Sequence, residues 1–249
     1  MKKISLVLIL VFGFFSYIIF AVNENINEAK LLEAQKYFKE FDKNYSIKDL
    51  QNLEKLELWN TDITDAGLVH LKGLTNLKEL SLLDTKITDA GLVHLKGLTN
   101  LKKLSLRGDQ IKDAGLVYLK DLKSIEDLDL GFTKITDAGL VHLKGLTNLK
   151  SLEIYHHSLD TEYVKKMEFT QSEIIELSKY QFTDAGLVSL KELKKLEILN
   201  LGDVQMTGIG LAHLKGLTNL KELSLCCIPI DSKIILDLKK SLPNCDIRC

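Results

Sequence analysis

The stretch Ile63-Thr-Asp-Ala-Gly-Leu-Val-His-Leu-Lys-Gly-Leu-Thr-Asn76 returns unchanged at residues 87–100 and 135–148. A shorter echo starts at Phe182, and a looser one runs from Leu211 to Asn219. Each copy leads into Leu-x-x-Leu-x-Leu, with Ile substitutions, so the unit is 24 residues long. A fixed period of this length marks an array in which every unit stacks on its neighbours. In the first unit Leu56 and Leu58 face one way while Lys55, Glu57 and Trp59 face the other, because strand side chains alternate. Thr64 suits a helix N-cap, Asp65 a first turn that favours negative charge, and Gly73 a helix stop. Leu68 and Leu71 supply an inward stripe between them. One strand and one short helix cannot bury these leucines alone, whereas stacked copies bury them jointly.

Counted this way, eight units occupy residues 53–241, beginning at Leu53, Leu77, Leu101, Ile125, Leu149, Ser172, Leu196 and Leu220. The fifth is irregular, because Leu159 to Met167 replaces the helix phrase and the unit is one residue short. Residues 242–249 repeat the strand spacing through Leu242, Cys245 and Ile247 and are expected to close the array. The pattern Leu-x-x-Leu-x-Leu-x-x-Thr-x-Ile-Thr-Asp-x-Gly-Leu resembles the leucine-rich repeat family, in particular its cysteine-containing subclass. The position after the strand, usually Asn or Cys in that subclass, is Thr61, Thr85 and Thr133, then Asp109, His157, Tyr180, Val204 and Ile228. A threonine hydroxyl can still bond backbone exposed at the turn. The resemblance implies an α/β solenoid shaped as a horseshoe, with a parallel β-sheet on the concave side and short helices on the convex side. It also implies a binding role. Substrate receptors of ubiquitin ligases occur in the subclass, but no F-box-like segment is evident here and the amino terminus argues for export.

That amino terminus places Lys2 and Lys3 before an apolar run from Ile4 to Val22, the pattern of an export signal. The run is long for a signal core and lacks a clear small-x-small cleavage site, so residues 1–22 fit a cleaved leader or an uncleaved membrane anchor. Either way Lys2 and Lys3 stay on the cytoplasmic side and the repeats are exported, secreted or periplasmic in one case and anchored by residues 4–22 in the other. Residues 23–52 contain an amphipathic segment, with Ile26, Ala29, Leu32, Tyr37 and Phe41 at mostly helical spacings. The first repeat of a stack exposes its apolar end, and this segment is placed to cap it.

The 33 Lys and Arg nearly balance the 34 Asp and Glu, which gives no general attraction to nucleic acid or to an anionic membrane. Membrane contact is therefore expected only through the amino-terminal segment. All four cysteines lie at 226, 227, 245 and 249, without the paired rhythm of a zinc site. Aligning Leu242-x-x-Cys245-x-Ile247 with the preceding strand sets Cys227 beside Cys249, the disulfide most readily formed in an exported chain, with free thiols as the alternative. His70, His94, His142 and His213 share one repeat position and read as a copied surface residue rather than a metal ladder. No phosphate loop, nucleophile elbow or paired-carboxylate motif stands outside the repeat, so neither an enzyme nor a cofactor is expected.

What varies while the scaffold repeats is the outward face of the strands. Trp59, Leu83, Arg107 and Tyr155 fall on one lateral line, and Phe132 extends its rim. Trp, Tyr and Arg dominate interface energetics, so these five residues form the expected contact site for a protein partner. A cell-envelope polymer is the alternative ligand, and a structural envelope component without a dedicated ligand is the alternative role. Packing of Trp59 beneath the amino-terminal cap would remove it from such a site.

Overall fold

The computed structural model of the chain describes residues 27–108, 110–155, 182–202, 204 and 206–249. Inward leucines alternating with outward polar residues form eight short strands. These are β1 (Lys55–Glu57), β2 (Glu79–Ser81), β3 (Lys103–Ser105), β4 (Asp127–Asp129), β5 (Ser151–Glu153), β6 (Ile198–Asn200), β7 (Glu222–Ser224) and β8 (Asp246–Arg248). They pair in chain order as one open parallel sheet. Register is in phase throughout, with Leu56 opposite Leu80, Leu80 opposite Leu104, and Leu104 opposite Leu128. Short helical turns return the chain along the other side, at Gly67–Gly73, Gly91–Gly97, Asp113–Leu116, Asp137–Leu140, Gly186–Leu190 and Ile209–Leu214. The repeated leucines and isoleucines between the two layers are almost all below a few per cent exposed. The chain is thus a leucine-rich-repeat solenoid, with strands on one side and short helices on the other.

The repeated phrase does more than cap its own turn. Asp65 Oδ1 accepts from the Thr88 backbone N–H at 2.7 Å and its Oδ2 accepts from the Thr88 hydroxyl at 2.6 Å, tying one unit to the next. The Thr88 hydroxyl in turn accepts from Ala90 N–H at 3.3 Å. Asp113 and Thr136 repeat this arrangement. The glycine of Asp-Ala-Gly follows from the same contact, since a Cβ on Gly91, Gly115 or Gly139 would stand 2.4 Å from the preceding unit's Asp oxygen. Asn at the end of the phrase makes a second tie: Asn76, Asn100, Asn148 and Asn219 donate to carbonyls of Gln51, Thr75, Lys123 and Lys194. The turn threonines behave as expected, Thr61 and Thr133 donating to the Leu58 and Leu130 carbonyls at 2.6 and 2.7 Å.

Three expectations are corrected. The amino-terminal segment is helical through residues 27–38, and the expected Tyr37 and Phe41 pack against the core, but its buried face is Leu31, Ala34 and Phe38, while Ala29 and Leu32 face solvent. The stripe turns because Leu31 and Phe38 join the core cluster of Leu50 and Leu56, with Tyr37 stacked on His70 at 4.4 Å. Second, the sheet neighbour of β5 is β6, Leu152 opposite Leu199, and the unit expected to begin at Ser172 has its strand residues outside the described ones. Asp137 likewise reaches Thr183, making the usual staple across 46 residues instead of 23. Leu159 to Met167, His157 and Tyr180 lie outside the described residues, as does the run Ile4 to Val22. Third, the closing strand keeps the repeat register: Leu223 pairs with Ile247, and Ser224 with Arg248. Ile247 is therefore the core residue, Cys245 is half-buried, and Cys249 comes opposite Leu225 rather than Cys227. The cause is a full helix, Ser232–Ser241, that takes Leu242 as its C-cap and so removes it from the strand spacing. Cys226, Cys245 and Cys249 are free thiols.

Candidate binding surface

On the exposed face of the sheet, each strand offers its first and third residues, and a further outward residue follows two positions on. The first two rows line a groove of about 230 Å³ that runs from Lys55 and Glu57 on β1 to Ser151 and Glu153 on β5. Its floor is the backbone and buried leucines of five strands, so the scaffold fixes the outward side chains in place. Five carboxylates line it, Glu57, Glu79, Asp127, Asp129 and Glu153, against two ammonium groups, Lys55 and Lys103. Among the described residues no histidine or cysteine lines it. Lys55 pairs with Glu57 at 2.8 Å, and Lys103 lies 3.7 Å from both Glu79 and Asp127.

Asp129 is different. Its Oδ1 accepts from Gly131 N–H at 2.9 Å and its Oδ2 from the Ser105 hydroxyl at 3.2 Å, yet burial pushes its carboxyl above the usual range. Glu153, its direct partner on β5, is raised by burial first and then by the Asp129 charge. Burial penalises the charged form, and a like charge next door adds to that penalty.

Four of the expected contact residues, Trp59, Leu83, Arg107 and Tyr155, occupy the third row and Phe132 follows it, and the structure brings three of the five together. The Arg107 guanidinium lies 4.7 Å from the Phe132 ring centre and 5.4 Å from that of Tyr155. The two rings meet edge-on at 4.9 Å. Tyr155 can lie across the sheet because the residue in its row on β4's turn is Gly131, where a Cβ would stand 2.7 Å from the ring. Burial, followed by the Asp129 charge, pushes the Tyr155 hydroxyl up to about 12. Trp59 is 54 % exposed and is not covered by the amino-terminal cap. Leu83 is half-buried on the neighbouring turn, where its carbonyl accepts from Asn60 N–H at 2.8 Å.

Phe132 also carries backbone strain. Among the described residues, the residue after the third-row position turns left-handed at Asn60 (φ 53°), Asp84 (φ 52°), Gly108 (φ 77°), Phe132 (φ 58°) and Cys227 (φ 65°). Asn, Asp and Gly visit this region readily, whereas a bulky side chain there costs roughly 1–2 kcal/mol. The contacts with Arg107 and Tyr155 hold it.

Reading by residue type singled out Trp59, Arg107, Phe132 and Tyr155, placed Asp129 and Glu153 on the outward face without a role, and passed over Gly131. The available signal was the repeat itself. Asp129 and Glu153 stand where the first three units have Glu57, Ser81 and Ser105, and Gly131 stands where they have Trp59, Leu83 and Arg107.

Two stretches of the chain, 51–111 and 122–143, match family models described as leucine-rich repeat. No curated protein sequence matches the chain. Among solved structures it is similar to an internalin C2 of Listeria monocytogenes, with 28% identity and a TM-score of 0.60 over 86% of this chain and 80% of that one. A second internalin of the same organism shares 27% identity with a TM-score of 0.52, over 78% of this chain and 53% of its own length.

Proposed function

We propose that this leucine-rich-repeat protein is an exported, non-enzymatic scaffold that holds a protein partner on its concave face. The observation that carries the reading is the assembled cluster of Arg107, Phe132 and Tyr155 beside the groove, with Phe132 in a strained conformation. Folding alone gives no reason for a ring as bulky as phenylalanine where Asn60, Asp84, Gly108 and Cys227 make the same left-handed turn with smaller side chains. Strain kept against such alternatives concentrates at functional sites. Trp59 adds an exposed aromatic surface at the same rim, and Trp, Tyr and Arg supply most hot spots in protein interfaces. Export is supported by Lys2 and Lys3 ahead of the apolar run from Ile4 to Val22 and by the similarity to bacterial internalins. No reaction is assigned to the groove. Among the described residues no helix is long and apolar enough to cross a membrane.

A cell-envelope polymer is the second reading, and Trp59 favours it, because an exposed indole face offers a sugar ring a flat apolar platform. The test uses the whole chain as bait for envelope and culture-fluid proteins, followed by affinities of the captured partner for Trp59→Ala, Arg107→Ala and Tyr155→Ala. At least one substitution is expected to weaken binding about tenfold, the usual effect of losing one hot spot. Equal affinity in all three removes the concave site. Failure to retain any protein, with retention of an envelope polysaccharide, favours the second reading.

A further inference from the structure

The groove is a sheet face that nothing in the described chain covers, and its charge is unevenly settled. Its two ammonium groups are committed, Lys55 to Glu57 and Lys103 between Glu79 and Asp127. Among the described residues neither Asp129 nor Glu153 has a lysine or arginine within ion-pair distance. Among the described residues Arg107 is the cation whose field reaches both, and its guanidinium is held over the Phe132 and Tyr155 rings. Asp129 and Glu153 are direct partners across the parallel ladder, with side chains on the same face. Like charges facing one another on a sheet destabilise it. Here both are half-buried as well, and the Gly131 and Ser105 hydrogen bonds to Asp129 and the more distant Arg107 charge offset the repulsion without a cation between the two carboxylates.

We propose that the groove floor at β4 and β5 receives a cationic side chain, a lysine or an arginine, presented by the protein partner of the concave face. The inference rests on the reading of that face as the binding surface and adds what the partner must bring. The cation would lie between the Asp129 and Glu153 carboxylates. The stem or guanidinium plane of the incoming residue would run along the Tyr155 ring, which stands two residues beyond Glu153 on the same side of the strand. Charge complementarity selects this occupant, because the groove holds five carboxylates against two ammonium groups while the chain as a whole is close to neutral, at -1. Ser105 and Gly131 already orient Asp129 through its two oxygens, so the acceptor is fixed before the partner arrives. Among the described residues no three His, Cys, Asp or Glu side chains converge as a metal site would require, which leaves the negative charge spread along a surface. An extended cationic side chain matches that spread.

The test uses random dodecapeptides displayed on phage and selected against the whole immobilised chain. Selected peptides are then synthesised and measured against the wild type, Trp59→Ala and the double variant Asp129→Asn, Glu153→Gln, whose side chains keep their shape. Melting curves verify that the variants are folded. The expected result is that selected peptides share a lysine or arginine and bind the double variant at least about tenfold more weakly, the scale of losing a desolvated charge contact. Replacing that arginine by citrulline, or that lysine by norleucine, is expected to give a similar loss. Peptides weakened by Trp59→Ala but bound equally by the double variant would overturn the cationic receptor and leave the concave face as a binding surface. Peptides that bind all three proteins equally, or no selected peptide at all, would overturn the binding surface and the receptor together.

Discussion

At Glu153 the cost of the proposed site becomes measurable as stability. Its carboxyl is raised above the usual range by burial and then by Asp129, so the folded chain holds that proton more tightly than the unfolded chain. Stability therefore falls as pH rises from the ordinary carboxylate range through the raised pKa, and stays lower above it. Glu153→Gln keeps the shape and removes the charge. A like-charge cross-strand contact costs roughly 0.2–1 kcal/mol, so the variant is expected to melt about 1–3 °C higher at pH 7. The gain is expected to disappear below the ordinary carboxylate range, where both forms are neutral. A variant that melts lower at pH 7 would show that Glu153 serves the fold. Phe132 and Gly131 extend the same logic. Both lie in rows that vary from unit to unit, and both meet the Tyr155 ring. Residue type alone pointed to the aromatic and arginine members, because these types carry binding energy at interfaces. The carboxylates could not be weighed from sequence, since their burial depends on which neighbours lie across the ladder.

The staple between successive units governs the elements. Asp65, Asp113 and Asp137 each bond both the N–H and the hydroxyl of a threonine in the next unit. The third unit lacks half of it: Lys112 offers its N–H to Asp89 at 2.7 Å but has no hydroxyl. Lys112→Thr is expected to complete the staple and stabilise the chain by about 0.5–1.5 kcal/mol, the net worth of one hydrogen bond. The urea midpoint should rise with an unchanged slope; no rise would show that the hydroxyl contributes nothing there. Strand positions and the convex turns were legible because the 24-residue period and the alternation of leucines reinforce one another. The helical face at 27–38 was not, because Ile26, Ala29 and Leu32 share a helical spacing that Leu31, Ala34 and Phe38 fit equally well. Only the partner surface decides between two such stripes. The register of β8 failed for a related reason, since Leu242, Cys245 and Ile247 imitate the strand spacing while the helix ahead of them uses Leu242 as its end.

Across the whole molecule, the array was legible and its step count was not. The leucine spacing places a strand in every 24 residues, whereas β5 meets β6 directly and the staple from Asp137 reaches Thr183, so these two contacts span 46–47 residues where the rest of the array spans 23–24. The groove is likewise a property of assembly, because its lining comes from five strands separated by whole repeats. The central claim is that this concave face, rather than the convex one, receives the partner. Hydrogen exchange of the whole chain with and without its captured partner tests it most directly. The account predicts slowed exchange in the segments 55–59, 79–83, 103–107, 127–132 and 151–155, with the convex turns at 67–73 and 91–97 unchanged. Slowed exchange confined to those convex turns would contradict it.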